Sequence, residues 1–484
     1  MKIATHHFKD ASARAVLDLK LQDNLLVAGQ RFAALRQMGM ARLVDPAAGR
    51  RAARDLKRRC LADLPRLLTL LESKLQERGV VVHWALNGGE ARRIILDLAA
   101  ARGVKSVVKG KSMMSEEVGL NPALAEAGVE VWESDLGEFI VQLAGEGPSH
   151  ILAPAIHKNR QDVAELFHQE LGLPYTEEPA ELTLQARRFL REKFLAADMG
   201  VTGVNVAIAE TGSLCLFENE GNIRMSTTLP RLHVAVMGLE KVVETWEDFD
   251  QLRMMLTLTA TGQACSTYLS LLSGPRRAGE KDGPEEVHVI FLDNRRSHIL
   301  ADPVLRDTLQ CIRCGACLNV CPVYQSVGGY TYGWVYSGPI GVLLNSQLLP
   351  RGLADDLPRA CTMCGACAQV CPVMIDHPSL MLHLRWLAQG GETPQRGGGA
   401  GGLAGVGLHS WLAGGPARFR AAHALARLGQ PLVAPGGRAR RRPKVLARWG
   451  EARVLPRLQK PFSRRWRRLQ KELARLTPDP GEDQ

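Results

Sequence analysis

Hydrophobic residues in the first 78 positions recur every three to four residues, with charged side chains between them. This spacing is typical of one face of an α-helix. It is clearest in the leucine-rich stretch that contains Leu61, Leu64, Leu67, Leu68, Leu70 and Leu71. Residues 1–78 are therefore predicted to form a helical N-terminal segment.

From Gly79 onward, short apolar runs alternate with amphipathic stretches. The amphipathic stretches predict helices at 89–101 and 136–143. The run at 200–217 is the most apolar and is expected to be a central strand. Because strands that alternate with helices along a chain form a mostly parallel sheet covered on both faces, we predict an α/β domain over residues 79–300. The other apolar runs predict strands at 79–85, 104–109, 129–132, 150–155, 233–237 and 287–292.

Eight of the eleven cysteines lie in two runs that share the pattern C-x2-C-x2-C-x3-C-P. The first run contains Cys311, Cys314, Cys317 and Cys321, and the second contains Cys361, Cys364, Cys367 and Cys371. Three closely spaced thiolates on a turn of small residues can reach three irons on one face of a cubane. The pattern is that of bacterial ferredoxins, in which the fourth cysteine ligates the other [4Fe–4S] cluster.

The runs therefore predict two [4Fe–4S] clusters with crossed ligation. Cys371 is expected to join the first three cysteines of the first run, and Cys321 the first three of the second. The alternative is a pair of four-cysteine zinc sites. It fits less well, because structural zinc usually takes two separated C-x2–4-C pairs. The remaining cysteines are expected to be buried small apolar residues: Cys60, Cys215 and Cys265.

Between the two runs lie 39 residues, too many for a compact ferredoxin. We predict a mostly helical two-cluster domain over 301–388, of the kind found in iron–sulfur subunits of quinone-linked dehydrogenases. An aromatic group in this stretch has no basic residue within it, which argues against nucleic-acid stacking. These side chains are expected to pack around the clusters and shield them from water: Tyr330, Tyr332, Trp334 and Tyr336.

Charge is concentrated at the C-terminal end. Residues 403–484 hold 18 Lys and Arg against 5 Asp and Glu, whereas the other 402 residues hold 43 against 45. A Gly-rich linker at 389–402 precedes this basic region, which contains one predicted helix. We expect the helix to dock on a protein partner, with peripheral membrane contact or a solvated tail as alternatives. Its apolar face comprises Phe462, Trp466, Leu469, Leu473 and Leu476.

The composition is that of an ordinary soluble protein, with 45% hydrophobic and 23% charged residues. The sequence has no run of 18 apolar residues and no apolar signal-peptide core, so a cytoplasmic location is predicted, with contact at the inner face of the membrane as the alternative. Neither a G-x-G-x-x-G motif after the first strand nor a Walker loop is present. Nicotinamide chemistry and nucleotide hydrolysis are therefore not supported.

Polar and basic residues follow several predicted strands, where open α/β sheets place their ligands. We expect a small anion near Lys109, Lys111, Ser112 and Ser213, because the first three end a strand and open a helix. A second basic group, consisting of His157, Lys158 and Arg160, could bind a carboxylate or could simply face solvent at a helix N-terminus. The strand histidines are expected in the core or at its edge: His83, His150, His233 and His288.

Several longer motifs resemble those of one family, the lactate utilization protein B group of LUD-domain iron–sulfur proteins. They include residues 108–113 (VKGKSM), 208–213 (IAETGS), 227–231 (TTLPR), 336–341 (YSGPIG) and both cysteine runs. The resemblance covers almost the whole chain up to the glycine linker. The linker and the basic end are richer in Gly and Arg than the family pattern.

The resemblance implies an α/β domain similar to sugar-phosphate isomerases and CoA transferases. It also implies an electron-carrying subunit in the oxidation of L-lactate to pyruvate, working with two companion proteins and an unidentified electron acceptor. The CoA-transferase likeness suggests a nucleophilic carboxylate at Glu210, although a hydrogen-bonded turn residue is the alternative. An independent LUD-fold enzyme and a redox-sensing interaction protein are the competing functions.

Overall fold

The computed structural model describes residues 3–389, 400–433 and 458–476. The chain divides into two compact units, Met1–Gly391 and Glu392–Gln484. The first unit contains both the predicted α/β domain and the two cysteine runs. The domain boundaries predicted from the sequence stay predictions.

The first unit begins with helices, as the hydrophobic pattern predicts. The side chain of Asp18 caps α2 (Leu19–Met40) by accepting the N–H of Leu21, and Asp45 caps α3 (Pro46–Ala62) by accepting the N–H of Ala48. Such capping satisfies amides that would otherwise lack a partner at the first turn. The four α-helices are α1 (Phe8–Ala15), α2 (Leu19–Met40), α3 (Pro46–Ala62) and α4 (Leu64–Gln76), after a short 3-10 turn at Thr5–His7.

Ten strands follow: β1 (Val81–Ala85), β2 (Ser106–Lys109), β3 (Glu130–Glu133), β4 (Met199–Gly203), β5 (Val206–Ile208), β6 (Ser213–Glu218), β7 (Leu232–Gly238), β8 (Val242–Val243), β9 (Tyr268–Leu272) and β10 (Glu286–Leu292). Six of them form a parallel sheet in the order β1-β10-β7-β4-β2-β3. The other four form a second sheet in the order β8-β5-β6-β9, where β6 runs antiparallel to both neighbours. The predicted mostly parallel α/β fold is confirmed.

Helices cover both faces of the six-stranded sheet. On one face, α5 (Gly88–Ala101), α6 (Met113–Val118) and α7 (Leu120–Glu126) pack over apolar strand residues such as Val107, Val201 and Val234. A second core contains Phe139, Phe167 and other side chains of α8 (Leu136–Leu143), α9 (Arg160–Leu171) and α10 (Pro179–Ala196). The domain is completed by α11 (Asn222–Thr228), α12 (Trp246–Ala260) and α13 (Arg296–Ala301).

The cysteine-rich segment is mostly helical, as predicted. It contains 3-10 turns at Leu305–Gln310, Tyr330–Tyr332 and Leu357–Ala360, and the helices α14 (Ala316–Asn319), α15 (Pro322–Val327), α16 (Gly338–Leu348), α17 (Ala366–Val370) and α18 (His377–Ala388). The largest apolar core joins this segment to the N-terminal helices and the second sheet. It includes Leu25, Leu318 and Leu344, each almost fully buried. The N-terminal helices therefore help to build the support for the cysteine runs.

Two strand predictions were wrong. Residues 150–155 form a loop, because the His150 ring accepts the N–H groups of Leu152 and Ala153 and so folds the backbone back on itself. The run at 200–217 is three strands shared between two sheets. Of these three strands, only β4 belongs to the six-stranded sheet, where it is central. The other two, β5 and β6, form a hairpin in the second sheet, and Gly212 in its turn has a φ of 62°.

The second unit contains more helix than the single one predicted. Its helices are α19 (Ala400–Ala413), α20 (Pro416–Val433) and α21 (Phe462–Leu476), the last matching the predicted amphipathic helix. Positions 400–402, predicted as linker, belong to α19, and most of the remaining linker lies outside the described residues. No helix in the described part of the chain is long and apolar enough to cross a membrane.

Candidate iron–sulfur centres and the adjoining cavity

Two small cavities in the cysteine-rich segment are each lined by four cysteines. Cys311, Cys314 and Cys317 line the first together with Cys371. The second is lined by Cys361, Cys364, Cys367 and, from the first run, Cys321. Each cavity thus combines three cysteines of one run with the fourth of the other.

The two runs adopt the same backbone conformation. Arg313 and Met363, two residues after the first cysteine of each run, have positive φ values of 61° and 59°. Gly315 and Gly365 follow with φ values of 72° and 78°. Left-handed conformations are costly for residues other than glycine. Because these conformations recur at equivalent positions, the two runs form the same kind of loop, which orients the first three cysteines of each run alike.

Backbone amides point at the sulfur atoms. The N–H of Arg313 donates to Cys311 Sγ at 3.4 Å, and the N–H of Met363 donates to Cys361 Sγ at 3.3 Å. The fourth cysteines also accept hydrogen bonds, from the N–H of Tyr324 to Cys321 Sγ at 3.5 Å and from Ile375 to Cys371 Sγ at 3.3 Å. Such bonds stabilise the thiolate form, which is the form that ligates metal.

The protein alone, however, disfavours several of these thiolates. Burial and then the neighbouring sulfurs raise the pKa of Cys367 to about 12. Burial also raises the pKa of Cys371 to about 11 and holds the pKa values of Cys314 and Cys317 well above the ordinary range. Positive iron removes this penalty, because a coordinating thiol is deprotonated outright. Two sets of four sulfurs with amide donors therefore fit [4Fe–4S] clusters.

Helices from the N-terminal segment hold the loop that carries Cys371. Arg50 Nε donates to the Cys371 carbonyl at 2.9 Å, and its Nη2 donates to the Ala368 carbonyl at 3.1 Å. Arg36 Nε donates to the Val370 carbonyl at 3.1 Å. Sequence reasoning missed both arginines, because nothing in α2 or α3 marks a partner more than 300 residues away.

A buried charge network joins the strand ends of the α/β domain to the first cysteine run. The Arg296 side chain is 1% exposed and binds Glu117 at 2.8 and 2.9 Å and Glu240 at 2.8 Å. Glu240 also lies 3.3 Å from Arg313, and the hydroxyl of Tyr336 donates to Glu117 at 2.5 Å. Burial alone would raise the pKa of Glu240, but the charges of Arg296 and Arg313 hold it at about 2.

A larger cavity of about 350 Å³ lies beside this network. Its walls include residues just beyond the carboxyl ends of β2, β3 and β7, namely Lys111, Asp135 and Lys241. Open α/β sheets bind ligands at this edge. Ile312 and Arg313, which separate the first two cysteines of the first run, complete the wall. The cavity therefore touches both the α/β sheet and the first cysteine set.

The structure separates the four residues predicted to bind an anion. Lys111 and Ser112 line the cavity, but Ser213 does not; its hydroxyl lies 2.9 Å from that of Thr211 in the second sheet. Lys109 is fully buried and lies 2.6 Å from both Glu116 and Glu133. Burial would lower the pKa of Lys109, but these carboxylates outweigh it and raise the pKa. Its charge is therefore already balanced within the protein.

Other candidates also have internal partners. Glu210, suggested as a nucleophilic carboxylate, is exposed at the β5–β6 turn and accepts the N–H of Trp246 at 2.8 Å, which corresponds to the turn-residue alternative. His157 and Lys158 lie 2.7 and 2.8 Å from Glu146, so the carboxylate they bind belongs to the protein. Arg160 is largely exposed, 4.0 Å from Glu177.

The three remaining predictions differ in outcome. Cys60 and Cys215 are buried as expected, whereas Cys265 is exposed, because it lies in the loop between α12 and β9. The aromatic group is buried except for the half-buried Tyr330, but of its four members Tyr332 alone lines a cysteine cavity, so shielding of the clusters by the other three stays a prediction. The core prediction also holds for the strand histidines: His233 is buried, and the rings of His83 and His288 meet between β1 and β10 with nitrogens 3.0 Å apart.

The fold and the two cysteine sets define a class of protein in which an α/β domain is joined to a ferredoxin-type iron–sulfur domain. Residues 68–292 match the LUD domain, and residues 307–375 match the 4Fe-4S dicluster domain. The chain is accordingly an iron–sulfur protein of the [4Fe–4S] type.

Full-length relatives identify the family. The chain is 43% identical to lactate utilization protein B of Bacillus licheniformis, over 72% of this chain and 73% of the relative. It is 41% identical to an Escherichia coli K12 protein named "Uncharacterized electron transport protein YkgF", over 81% of this chain and 83% of the relative. The chain belongs to the lactate utilization protein B family.

Proposed function

We propose that this chain is the electron-transferring iron–sulfur subunit of a system that oxidises L-lactate to pyruvate. The observation that carries the proposal is the grouping of eight cysteines into two four-sulfur cavities. The names of the relatives, which refer to lactate utilization and to electron transport, supply the pathway. A [4Fe–4S] cluster in each cavity would supply one-electron transfer.

The residues proposed to hold the clusters form two crossed sets. Cys311, Cys314, Cys317 and Cys371 hold the first, and Cys361, Cys364, Cys367 and Cys321 hold the second. The amide donors to four of these sulfurs and the two left-handed loop positions in each run orient the ligands. Tyr332 in the second cavity and Ile340 in the first limit the access of water, which influences cluster potential.

Three serine variants test the crossed arrangement. Cys371→Ser should alter the electron paramagnetic resonance spectrum of the dithionite-reduced protein in the same way as Cys311→Ser, and differently from Cys361→Ser. Cys265→Ser, at an exposed cysteine outside both cavities, is the matched control and should leave the spectrum unchanged. A Cys371→Ser spectrum that matches Cys361→Ser would refute the arrangement.

Lactate-dependent reduction tests the role in the pathway. The reconstituted chain is mixed anaerobically with L-lactate, with and without the companion proteins of the lactate system. Clusters that become reduced only when the companions are present support an electron-transfer subunit. Reduction by lactate in the isolated chain would instead show that the chain itself oxidises the substrate.

Within the second unit, we propose that α21 docks on an acidic surface of a companion subunit. Phe462 is 76% exposed and Trp466 is 44% exposed, and Leu469 lies on the same face. Cationic side chains adjoin this apolar stripe and would complement acidic groups on the partner: Arg464, Arg465, Arg467, Arg468 and Lys471.

A further inference from the structure

We infer that the 350 Å³ cavity beside the first cysteine run is a binding site for a small organic carboxylate. Lys241 and Arg313 are the groups inferred to bind it. This inference deepens the proposed function, on which the choice of L-lactate and pyruvate as probes rests.

The first argument is that two cations in the cavity wall have hydrogen-bond donors without an acceptor. Lys241 is 9% exposed, and its ammonium group has no hydrogen-bond or ion-pair partner among the described residues. Arg313 donates to Glu240 through Nη2, but its Nη1 is buried with no hydrogen-bond partner. Buried charges are normally paired, because an isolated charge in a protein interior costs several kcal/mol. A bound carboxylate would supply the missing acceptor and favour the charged form of Lys241, whose pKa burial lowers to about 7.

The carboxylates in the cavity, by contrast, already have partners. Asp135 accepts the N–H of Glu138 and lies 3.5 Å from Lys111. Glu218 accepts the N–H groups of Ile223 and Arg224, and Glu220 accepts the N–H of Leu136. The binding capacity that remains is therefore cationic and comes from Lys241 and Arg313.

The wall also indicates an organic anion. Phe32, Ile151, Phe217, Leu256 and Ile312 line the cavity, and an apolar wall favours a ligand with a hydrocarbon part over a bare inorganic anion. The volume is at the lower end of the range for small-molecule sites.

The first cluster itself is the other anion that these cations could balance. Arg313 lines both cavities and could serve either anion, but Lys241 lines the large cavity and is not part of the wall of the first cysteine cavity. Because Cys311 still acts electrostatically on Lys241, the two roles are distinguished by whether substitution of Lys241 changes carboxylate affinity or the potential of the first cluster.

The test is isothermal titration calorimetry of the cluster-loaded full-length chain with sodium L-lactate, pyruvate and acetate. Inorganic phosphate serves as the anion without a hydrocarbon part. At least one carboxylate should bind saturably and more tightly than phosphate. Lys241→Gln should weaken that binding by about tenfold or more, the usual contribution of a charged hydrogen bond. Lys241→Arg, which keeps the charge, should retain more affinity than Lys241→Gln.

Lys158→Gln is the matched control, because Lys158 is also mostly buried but pairs with Glu146 outside the cavity wall. It should leave carboxylate affinity unchanged. Iron content and the reduced spectrum are measured for every variant. Lys241→Gln should also unfold at a higher urea concentration than the ligand-free wild type, because it removes a buried amine that has no hydrogen-bond partner.

The inference is overturned if no carboxylate binds saturably, or if phosphate binds as tightly. It is equally overturned if Lys241→Gln shifts the midpoint potential of the first cluster and leaves carboxylate affinity intact. Binding without companion-dependent cluster reduction would count against the proposed function alone. Companion-dependent reduction without binding would count against this inference alone.

Discussion

Replacing Arg296 by methionine should destabilise the protein strongly, because Arg296 is the centre of a buried charge network. The side chain is 1% exposed and compensates two carboxylates that are at most 1% exposed, those of Glu117 and Glu240. The variant keeps a long apolar stem but leaves both carboxylates without their main counter-charge. Tyr336 and Asn294 still bind Glu117, and Arg313 still faces Glu240.

Breaking a buried pair by removing one partner typically costs about 3–5 kcal/mol. Because Tyr336, Asn294 and Arg313 still donate to the two carboxylates, we expect Arg296→Met to lower the free energy of unfolding by about 3–4 kcal/mol, in the lower part of that range. This is a large part of the roughly 5–15 kcal/mol by which a folded domain is stable. The double variant Arg296→Met/Glu117→Gln should recover part of the loss, because it removes one of the two uncompensated charges.

The measurement is equilibrium urea denaturation of the cluster-loaded chain under anaerobic conditions, followed by tryptophan fluorescence. Arg231→Met is the control, since the Arg231 side chain is 81% exposed and lies 3.1 Å from Glu285; it should change the free energy of unfolding by about 0.5 kcal/mol or less. A decrease of less than about 1 kcal/mol in the free energy of unfolding of Arg296→Met would refute the reasoning, because removing one partner of a buried ion pair costs more than that.

The same network gives a pH dependence. The pKa of Glu240 lies at about 2 in the folded protein, below the ordinary value of 4.5, so the ionised form is favoured in the folded state. Its contribution to stability is therefore present above pH 4.5 and is lost as the pH falls towards 2. Because Arg296→Met removes a main cause of the lowered pKa, the difference in stability between the wild type and this variant should shrink on acidification over that range.

Three further outcomes are expected. The double variant Arg36→Ala/Arg50→Ala should release iron from the first cysteine set to a chelator faster than the wild type, because three hydrogen bonds to the Cys371 loop are lost. A release rate equal to that of the wild type would contradict this prediction. Burial, and then the charge of Glu133, raise the pKa of Glu138, so ionisation of Glu138 destabilises the folded protein as the pH rises. In urea denaturation, Glu138→Gln should therefore be more stable than the wild type at pH 8 but not at pH 4. Identical denaturation curves for the two proteins at both pH values would contradict this prediction. Truncation after position 402 should preserve iron content and cluster spectra while weakening assembly with the companion proteins in a salt-sensitive way; loss of the clusters, or full assembly at low salt, would argue against docking by the second unit.

Local patterns were sufficient for much of the fold. The period of the apolar residues predicted the N-terminal helices, the helix at 136–143 and the α21 helix, because these elements depend on contacts between near neighbours in sequence. The same reasoning failed at 150–155. The apolar letters there resemble a strand, but a histidine side chain satisfies the backbone amides and makes a loop.

The sequence by itself determined the chemistry of the cysteine runs, because spacing and small residues are local properties that limit which metal groups four sulfurs can reach. Only the tertiary structure decided which charges remain available. Lys109 and Lys111 are two residues apart, yet the first is paired with buried carboxylates and the second lines a cavity. Arg50 and Lys241 likewise gain their positions beside the cysteine runs from distant elements. Burial and long-range pairing set the cost of each charge, and neither can be obtained from neighbouring residues in the chain.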